Sequence, residues 1–361
     1  MGKILLQPSV IQYPTRTPLN DDTDEWKSVY NIGHAVDPDP PNPSLHRIHR
    51  PSDPYGIIQT WGAMEKIWKH AFSELGASPS SHPIIMTEPA VEAPKSQRLH
   101  QATYVFETLH APAYYTTSPA ILSAYAANLP TTLVVDSGYT GTYVVTVHDF
   151  KQLRDCVWCY DVAGQAVEDW LVRALSVEEG VVFSSNGSGR DYARLQKFER
   201  ARVAADFQDE YVQWTLNASD EEKKWELPDG RTFSPGRPLG LLAGELLFDH
   251  SITGFDVPEF QYGVVSTVMK ANEGLRGMLW GNILLAGGNT MIPGYGERLE
   301  KEARRNVQEG TKVNVIAPRD RMYSAWIGGS MVSELSTFRN MCISRAEYDE
   351  TGPGIVDRKC S

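Results

Sequence analysis

Apolar residues at Trp61, Met64, Ile67, Trp68 and Ala71 recur every three or four positions, the spacing of one buried face of an α-helix. Pro83-Ile-Ile-Met-Thr87 is a short apolar run suited to a buried strand. Lys95 to Thr108 and Pro119 to Ala127 predict helices, the second opened by Ser118 as cap and Pro119 in the first turn. Thr131 to Gly138 and then Thr142 to Val147 predict two strands joined by a turn, with Asp136, Ser137 and Gly138 at the tip. Ala166 to Ala174 and Tyr192 to Phe207 predict helices, and Glu226-Leu-Pro-Asp-Gly-Arg231 a hairpin turn marked by Asp-Gly. Gly281 to Gly288 reads as a strand running into a glycine turn, with a helix over Tyr295 to Arg305 after it. The alternation of strands and helices predicts an α/β protein. Upstream, Asp37-Pro-Asp-Pro-Pro-Asn-Pro43 is closed to helix and inner strand, because proline lacks an amide donor and restricts its predecessor. The expectation there is an exposed linker within residues 1–55, with order beginning at Trp61.

Composition adds limits rather than chemistry. At 361 residues the chain exceeds the usual size of a single core, which predicts two lobes. Hydrophobic residues make up 41% and charged residues 22%, ordinary for a globular protein. A net charge of −11 argues against direct nucleic-acid binding, which depends on clustered Lys and Arg. No apolar run reaches the ~20 residues of a membrane span, and the N-terminus lacks a signal-peptide core. Cys156, Cys159, Cys342 and Cys360 read as reduced thiols. Cys156-Val-Trp-Cys159 is half a zinc site at most, and neither a second CxxC nor a spaced histidine pair completes it.

Two segments could carry ligand chemistry. Leu284-Leu-Ala-Gly-Gly-Asn-Thr-Met291 lets backbone approach a ligand closely ahead of a helix, or simply makes a tight strand–helix turn. Asp136-Ser-Gly138 could hold a cation near a phosphate, or could cap its own turn. The histidines show no paired-ligand spacing, and no Gly-x-Ser-x-Gly elbow is present.

From these residues outward the chain resembles actin. Trp61-Gly-Ala-Met-Glu-Lys-Ile-Trp68, Glu107-Thr108 with Ala111-Pro-Ala113, Asp136-Ser-Gly138, Glu226-Leu-Pro-Asp-Gly230 and Ala286-Gly-Gly-Asn-Thr-Met-Ile-Pro-Gly294 fall in the family's order. Trp326-Ile-Gly-Gly-Ser330, Leu335-Ser-Thr-Phe338, Glu347-Tyr-Asp-Glu350 and the tail Gly352 to Cys360 follow. The resemblance implies the two-lobed actin-like ATPase fold, with duplicated ribonuclease-H-like domains around ATP and a divalent metal. It places residues 1–128 and 319–361 in an outer lobe and 129–318 in an inner lobe.

The departures from the family pattern shape the functional expectation. The family's N-terminal phosphate hairpin has no counterpart, since Pro8 to Arg16 resembles the segment that follows it. The second phosphate loop reads Asp136-Ser137-Gly138-Tyr139-Thr140, with Tyr139 in place of an aspartate and Thr140 in place of a glycine. The water-positioning glutamine aligns with Pro119, the sensor-loop histidine with Tyr55, the ribose-contacting glutamate with Phe198 and the adenine-side lysine with Met322. Asp136, Gly138, Gly164, Arg194, Lys197, Gly287, Gly288 and Met291 remain as a residual cleft. The expectation is a non-hydrolytic structural subunit without a required cofactor or metal, ATP or ADP being the ligand if the cleft is used at all.

Surface residues extend that reading. The family's polymer groove aligns with Tyr125, Val332, Leu335 and Thr337, although Val332 and Leu335 would serve equally as core. The loop that would enter a neighbour's groove is the acidic Leu19-Asn-Asp-Asp-Thr-Asp-Glu25, whose carboxylates would be costly to desolvate. Loss of the first hairpin would expose a sheet edge, to be covered by Lys3 to Leu6 or by a partner's strand. The implied partners are proteins of a large assembly, actin or another actin-related protein among them, with neither nucleic acid nor membrane. The implied setting is the cytoplasmic cytoskeleton (axonemal, dynein-linked or filament-capping, the cilium included). The alternatives are a nuclear chromatin-remodelling subunit, and an ATP-binding chain whose missing loop comes from a neighbour.

Overall fold

The computed structural model describes residues 11–14, 31–32, 46–53, 55–91, 93–178, 188–219, 224–226, 230, 232–253 and 258–360. In chain order, strands β1 (Ile11–Pro14), β2 (Asn31–Ile32) and β3 (His46–His49) form an antiparallel sheet in the order β2-β1-β3. This corrects the expectation that order begins at Trp61: the upstream region supplies a paired sheet and the turn that leads into α1 (Trp61–Leu75). Period-2 patterning cannot reveal strands this short. The Pro-rich stretch 37–43, the acidic loop 19–25 and Lys3 to Leu6 lie outside the described residues.

The next unit is built around β4 (Ile84–Thr87) and β5 (Ala113–Thr117), which run parallel, with the late strand Ile343–Ser344 antiparallel on the far side of β5. Among the described residues β4 and Ile343–Ser344 are the two outer strands of this sheet. Phe106, Tyr114, Ile343 and Val356 are fully or almost fully buried in its core, so residues early and late in the chain share one hydrophobic cluster. Helix α2 (Lys95–Thr103) passes into a π-helical turn over Tyr104–Thr108, closed by the Leu109 amide on the Tyr104 carbonyl at 3.0 Å. Helix α3 (Pro119–Ala126) is capped as its sequence predicts, the Ser118 hydroxyl accepting from the Ile121 amide.

The larger unit carries a five-stranded sheet. Its centre is the meander β6 (Thr132–Ser137), β7 (Thr142–His148) and β8 (Lys151–Tyr160). After the short hairpin β9 (Trp225–Glu226) and β10 (Thr232–Phe233), strand β11 (Ile283–Ala286) lies parallel to β6, and β12 (Val315–Ile316) completes the order β12-β11-β6-β7-β8. Leu133 and Val135 point into one hydrophobic cluster and Val134 into another, because successive side chains of a strand face opposite ways. Both faces are covered, which is why β6 reads as a continuous apolar run.

Helix α4 runs from Gly164 to Glu178 and α5 from Ser188 to Arg200. The helix expected over Tyr192 to Phe207 therefore ends early. The amides of Arg202 and Val203 bond to the carbonyls of Gly240 and Pro293, at 3.2 and 2.8 Å, instead of continuing the helical ladder. Asp206 then caps a separate helix, α6 (Phe207–Asn217). Strand β8 holds the CxxC. Three residues apart in a strand, Cys156 and Cys159 face opposite sides, and burial pushes the Cys159 thiol up to about 12.

Candidate functional site

The residual cleft residues converge where β6 and β11 end side by side. Ala286 pairs with Asp136, and each strand passes at once into a tight turn. After β6 the Gly138 amide bonds to the Gly141 carbonyl at 3.0 Å. A chain of hydroxyl bonds fixes the turn's base: Ser137 to Thr142 at 2.8 Å, and Thr142 to the Val162 carbonyl at 3.2 Å. After β11, Gly287 adopts φ 84°, and Asn289 from the following 3-10 turn donates to Ser137 Oγ at 3.1 Å and to the Gly138 carbonyl at 2.6 Å. The two turns are thus sewn together by one asparagine side chain.

The glycines divide by what surrounds them. A Cβ on Gly287 would lie against the Ser137 carbonyl and 2.5 Å from Asp136 Oδ1, and one on Gly164 would meet Asn289 Oδ1 and Lys197 Nζ at 2.9 Å. These two are required by the chain's own packing. A Cβ on Gly288 finds nothing nearer than Met322 Sδ at 3.9 Å, and one on Gly138 nothing nearer than the Gly141 carbonyl at 3.6 Å. There the space in front of the backbone is open. Asp136 keeps some surface, but its carboxyl group is enclosed, and burial pushes it up to about 6.

The helix side of the cleft holds a compact charge cluster. Lys197 on α5 is buried. Its Nζ donates to Glu168 Oε1 on α4 at 2.8 Å and to the Gly164 carbonyl at 3.4 Å. Burial holds the Lys197 ammonium below the usual lysine range even with Glu168 beside it. Arg194 reaches the same Glu168 oxygen at 3.6 Å, and Arg190 Nε bonds to Asp169 at 2.9 Å. Tyr139 projects into this cluster. Its ring centroid lies 5.7 Å from the Arg194 guanidinium and 6.0 Å from Lys197 Nζ. Arg50, directly after β3, sits 5.3 Å over the ring and donates to the Tyr139 hydroxyl at 3.3 Å.

Glu168, Arg190 and Arg50 lie in no motif of the sequence. Glu168 left a trace, because it shares a helical face with the buried Leu171 and Leu175. Arg50 left none.

The remaining positions are more open. Phe198 is 54% exposed with Lys197 Nζ 5.2 Å from its ring, and Met291 and Met322 are exposed beside Gly288. Tyr55 is also exposed, and the charge of Asp161 is the largest influence holding its phenol above the usual range. Pro119 occupies the first turn of α3, and Thr140 is part-exposed in the β6–β7 turn. Of the expected groove, Leu335 and Thr337 are exposed and Tyr125 is half-buried, stacked on Phe150 at 4.1 Å. Of the two readings open for Val332, its burial matches core: it is fully buried with Leu122, Phe338 and Cys342.

Two parallel strands of one sheet ending in glycine turns, with helix-borne cations behind them, form the frame of a known family. The actin family model matches residues 6–361. The chain belongs to the actin family. It is also similar to a curated protein described as an actin-like protein from Neurospora crassa, at 35% identity over 318 residues, covering 87% of this chain and 82% of that relative. The two hydrophobic units and the mixed sheets are those of the actin-like two-lobed fold. The actin family implies ATP with a divalent metal, and the residues present fit that group poorly. Asp136, the carboxyl expected to face a cation, is buried, which pushes it up to about 6 and makes its charged form costlier. Lys197 is committed to Glu168, and the Tyr139 side chain stands at the family's phosphate loop. No helix of the described residues is long and apolar enough to cross a membrane.

Proposed function

We propose that this chain is a non-hydrolytic, structural member of the actin family that takes a fixed place in a cytoskeletal assembly (axonemal, dynein-linked or filament-capping). The observation that carries the reading is Tyr139, a neutral aromatic side chain where the family has an aspartate, packed among Arg50, Arg194 and Lys197. An attacking water would need an acceptor to orient it, and Pro119 offers none. A triphosphate would need free donors and a metal, while Lys197 and Arg194 already face Glu168. These features lie far apart in sequence and bear on the same site, which also weighs against a nucleotide loop supplied by a neighbouring chain.

The protein's contribution is then its shape. Leu335 and Thr337 offer an exposed rim to a protein partner, and Val332 supports that rim from the core. The test is phosphate release by the purified protein with Mg-ATP, together with quantification of copurified nucleotide. Release at the buffer rate and substoichiometric nucleotide support the reading; steady turnover with one bound nucleotide per chain overturns it. Mass spectrometry of the affinity-purified native complex then identifies the assembly. Axonemal, dynein-linked or filament-capping components are expected, whereas chromatin-remodelling components would move the protein to the nucleus.

A further inference from the structure

We propose that Tyr139 is an internal latch, a side chain that draws the two lobes together across the cleft in the absence of a bound nucleotide. The inference rests on the reading of the cleft given above and adds a specific mechanical role for one residue.

Both sides of the contact are anchored. Tyr139 belongs to the turn after β6, and its backbone is held there: its carbonyl accepts from the Gln165 amide at 2.8 Å, and the adjacent Gly138 carbonyl accepts from Gly164 and Asn289. Gln165 and Gly164 form the first turn of α4, so movement of the tyrosine backbone would disturb a helix start. Arg50 directly follows β3, which pairs along four residues with β1. The Arg50–Tyr139 contact therefore joins a sheet of one lobe to a helix–turn framework of the other.

The chemistry suits a phenol. Its ring face attracts cations through the aromatic quadrupole, and its hydroxyl accepts a hydrogen bond from a guanidinium. Arg50, Arg194 and Lys197 all lie within 6.0 Å of the ring centroid. Without a shared partner, these three positive charges would oppose close approach of the lobes. Glu168 balances Lys197 and Arg194 on the inner side, and Asp169 balances Arg190. Tyr139 meets Arg50 without adding a formal negative charge. Glu168 Oε2 is fully buried and lacks a hydrogen-bond partner, so the inner half of the cluster has acceptor capacity left for rearrangement if the latch opens.

The test uses the full chain, the single variants Tyr139→Ala, Tyr139→Phe and Arg50→Gln, and the double variant Tyr139→Ala with Arg50→Gln, each checked for folding by circular dichroism. Small-angle X-ray scattering reads the separation of the lobes. Tyr139→Ala and Arg50→Gln are expected to increase the radius of gyration and broaden the distance distribution to a similar extent, with the double variant no wider than either single one. Tyr139→Phe keeps the ring but loses the hydroxyl's bond to Arg50, and should fall between wild type and Tyr139→Ala. If Arg50→Gln, folded, scatters like wild type, the latch is overturned, whatever becomes of the more disruptive Tyr139→Ala. A separate arm measures Mg-ATP binding to wild type by calorimetry. Binding there would overturn the reading of the cleft, while unchanged scattering in the variants would overturn the latch alone.

Discussion

The two turns that meet at the cleft differ in how far they depart from the family pattern. The turn after β11 keeps the family's glycines, and the fold needs them: Gly287 at φ 84° and Gly294 at φ 86° both sit against other backbone, the Ser137 and Val203 carbonyls. The turn after β6 is held by backbone bonds as well, but its side chains are Tyr139 and Thr140 where the family pattern has an aspartate and a glycine. Backbone contacts within the fold explain the first turn without any ligand. Only side-chain chemistry distinguishes a working nucleotide loop from an inherited one, and it is on that level that the second turn departs.

The largest effect should come from testing those glycines directly. Gly287→Ala forces a Cβ into the Ser137 carbonyl at a left-handed backbone position, and should destabilise by on the order of 4 kcal/mol or prevent folding. Gly288→Ala, one residue on, meets open space and should change the denaturation midpoint by less than about 0.5 kcal/mol. Equal effects at the two positions would break the distinction between packing glycines and open ones.

Next comes the charge cluster behind the second turn. Glu168→Ala leaves Lys197 buried without its carboxylate and should cost about 3 kcal/mol by urea denaturation. The double variant Glu168→Leu with Lys197→Met should recover most of that loss, because neither charge is then buried alone. A harmless Glu168→Ala would mean that the pair is solvated and free to serve a ligand.

A smaller effect is expected from Asp136. Its ordinary value is 3.8, and burial raises it to about 6 in the folded chain. Between those values the folded state holds the proton more tightly than the unfolded state. The contribution of Asp136 is therefore most favourable at low pH and declines as pH rises through about 6. Asp136→Asn removes that loss and should stabilise the protein by about 2 kcal/mol at pH 8, with little change at pH 4. Stabilisation that does not grow with pH would point to a carboxylate stabilised by a cation.

The fold was legible in the sequence wherever a pattern is local. The Trp61 helix, the β6–β7 hairpin, the Ser118 cap and the glycine turn before the Tyr295 helix all carry their own spacing or punctuation. What escaped depended on distant partners. The end of α5 at Arg200 is decided by carbonyls of Gly240 and Pro293, and β1 to β3 are too short to show a period. The site behaved in the same way. The substitutions at Pro119, Tyr139 and Phe198 could be read from the family pattern, whereas the partners that surround Tyr139 could not. Arg50 lies 89 residues from it in sequence, and Glu168 is on a helix with no motif.

The most direct test of the central claim is calorimetric titration of the purified wild-type protein with Mg-ATP at millimolar concentration, followed by a thermal melt of the same sample. A cleft occupied by its own Tyr139 cluster should give no saturable heat and an unchanged melting temperature. Saturable binding with a raised melting temperature would contradict it and return the chain to the nucleotide-binding actins.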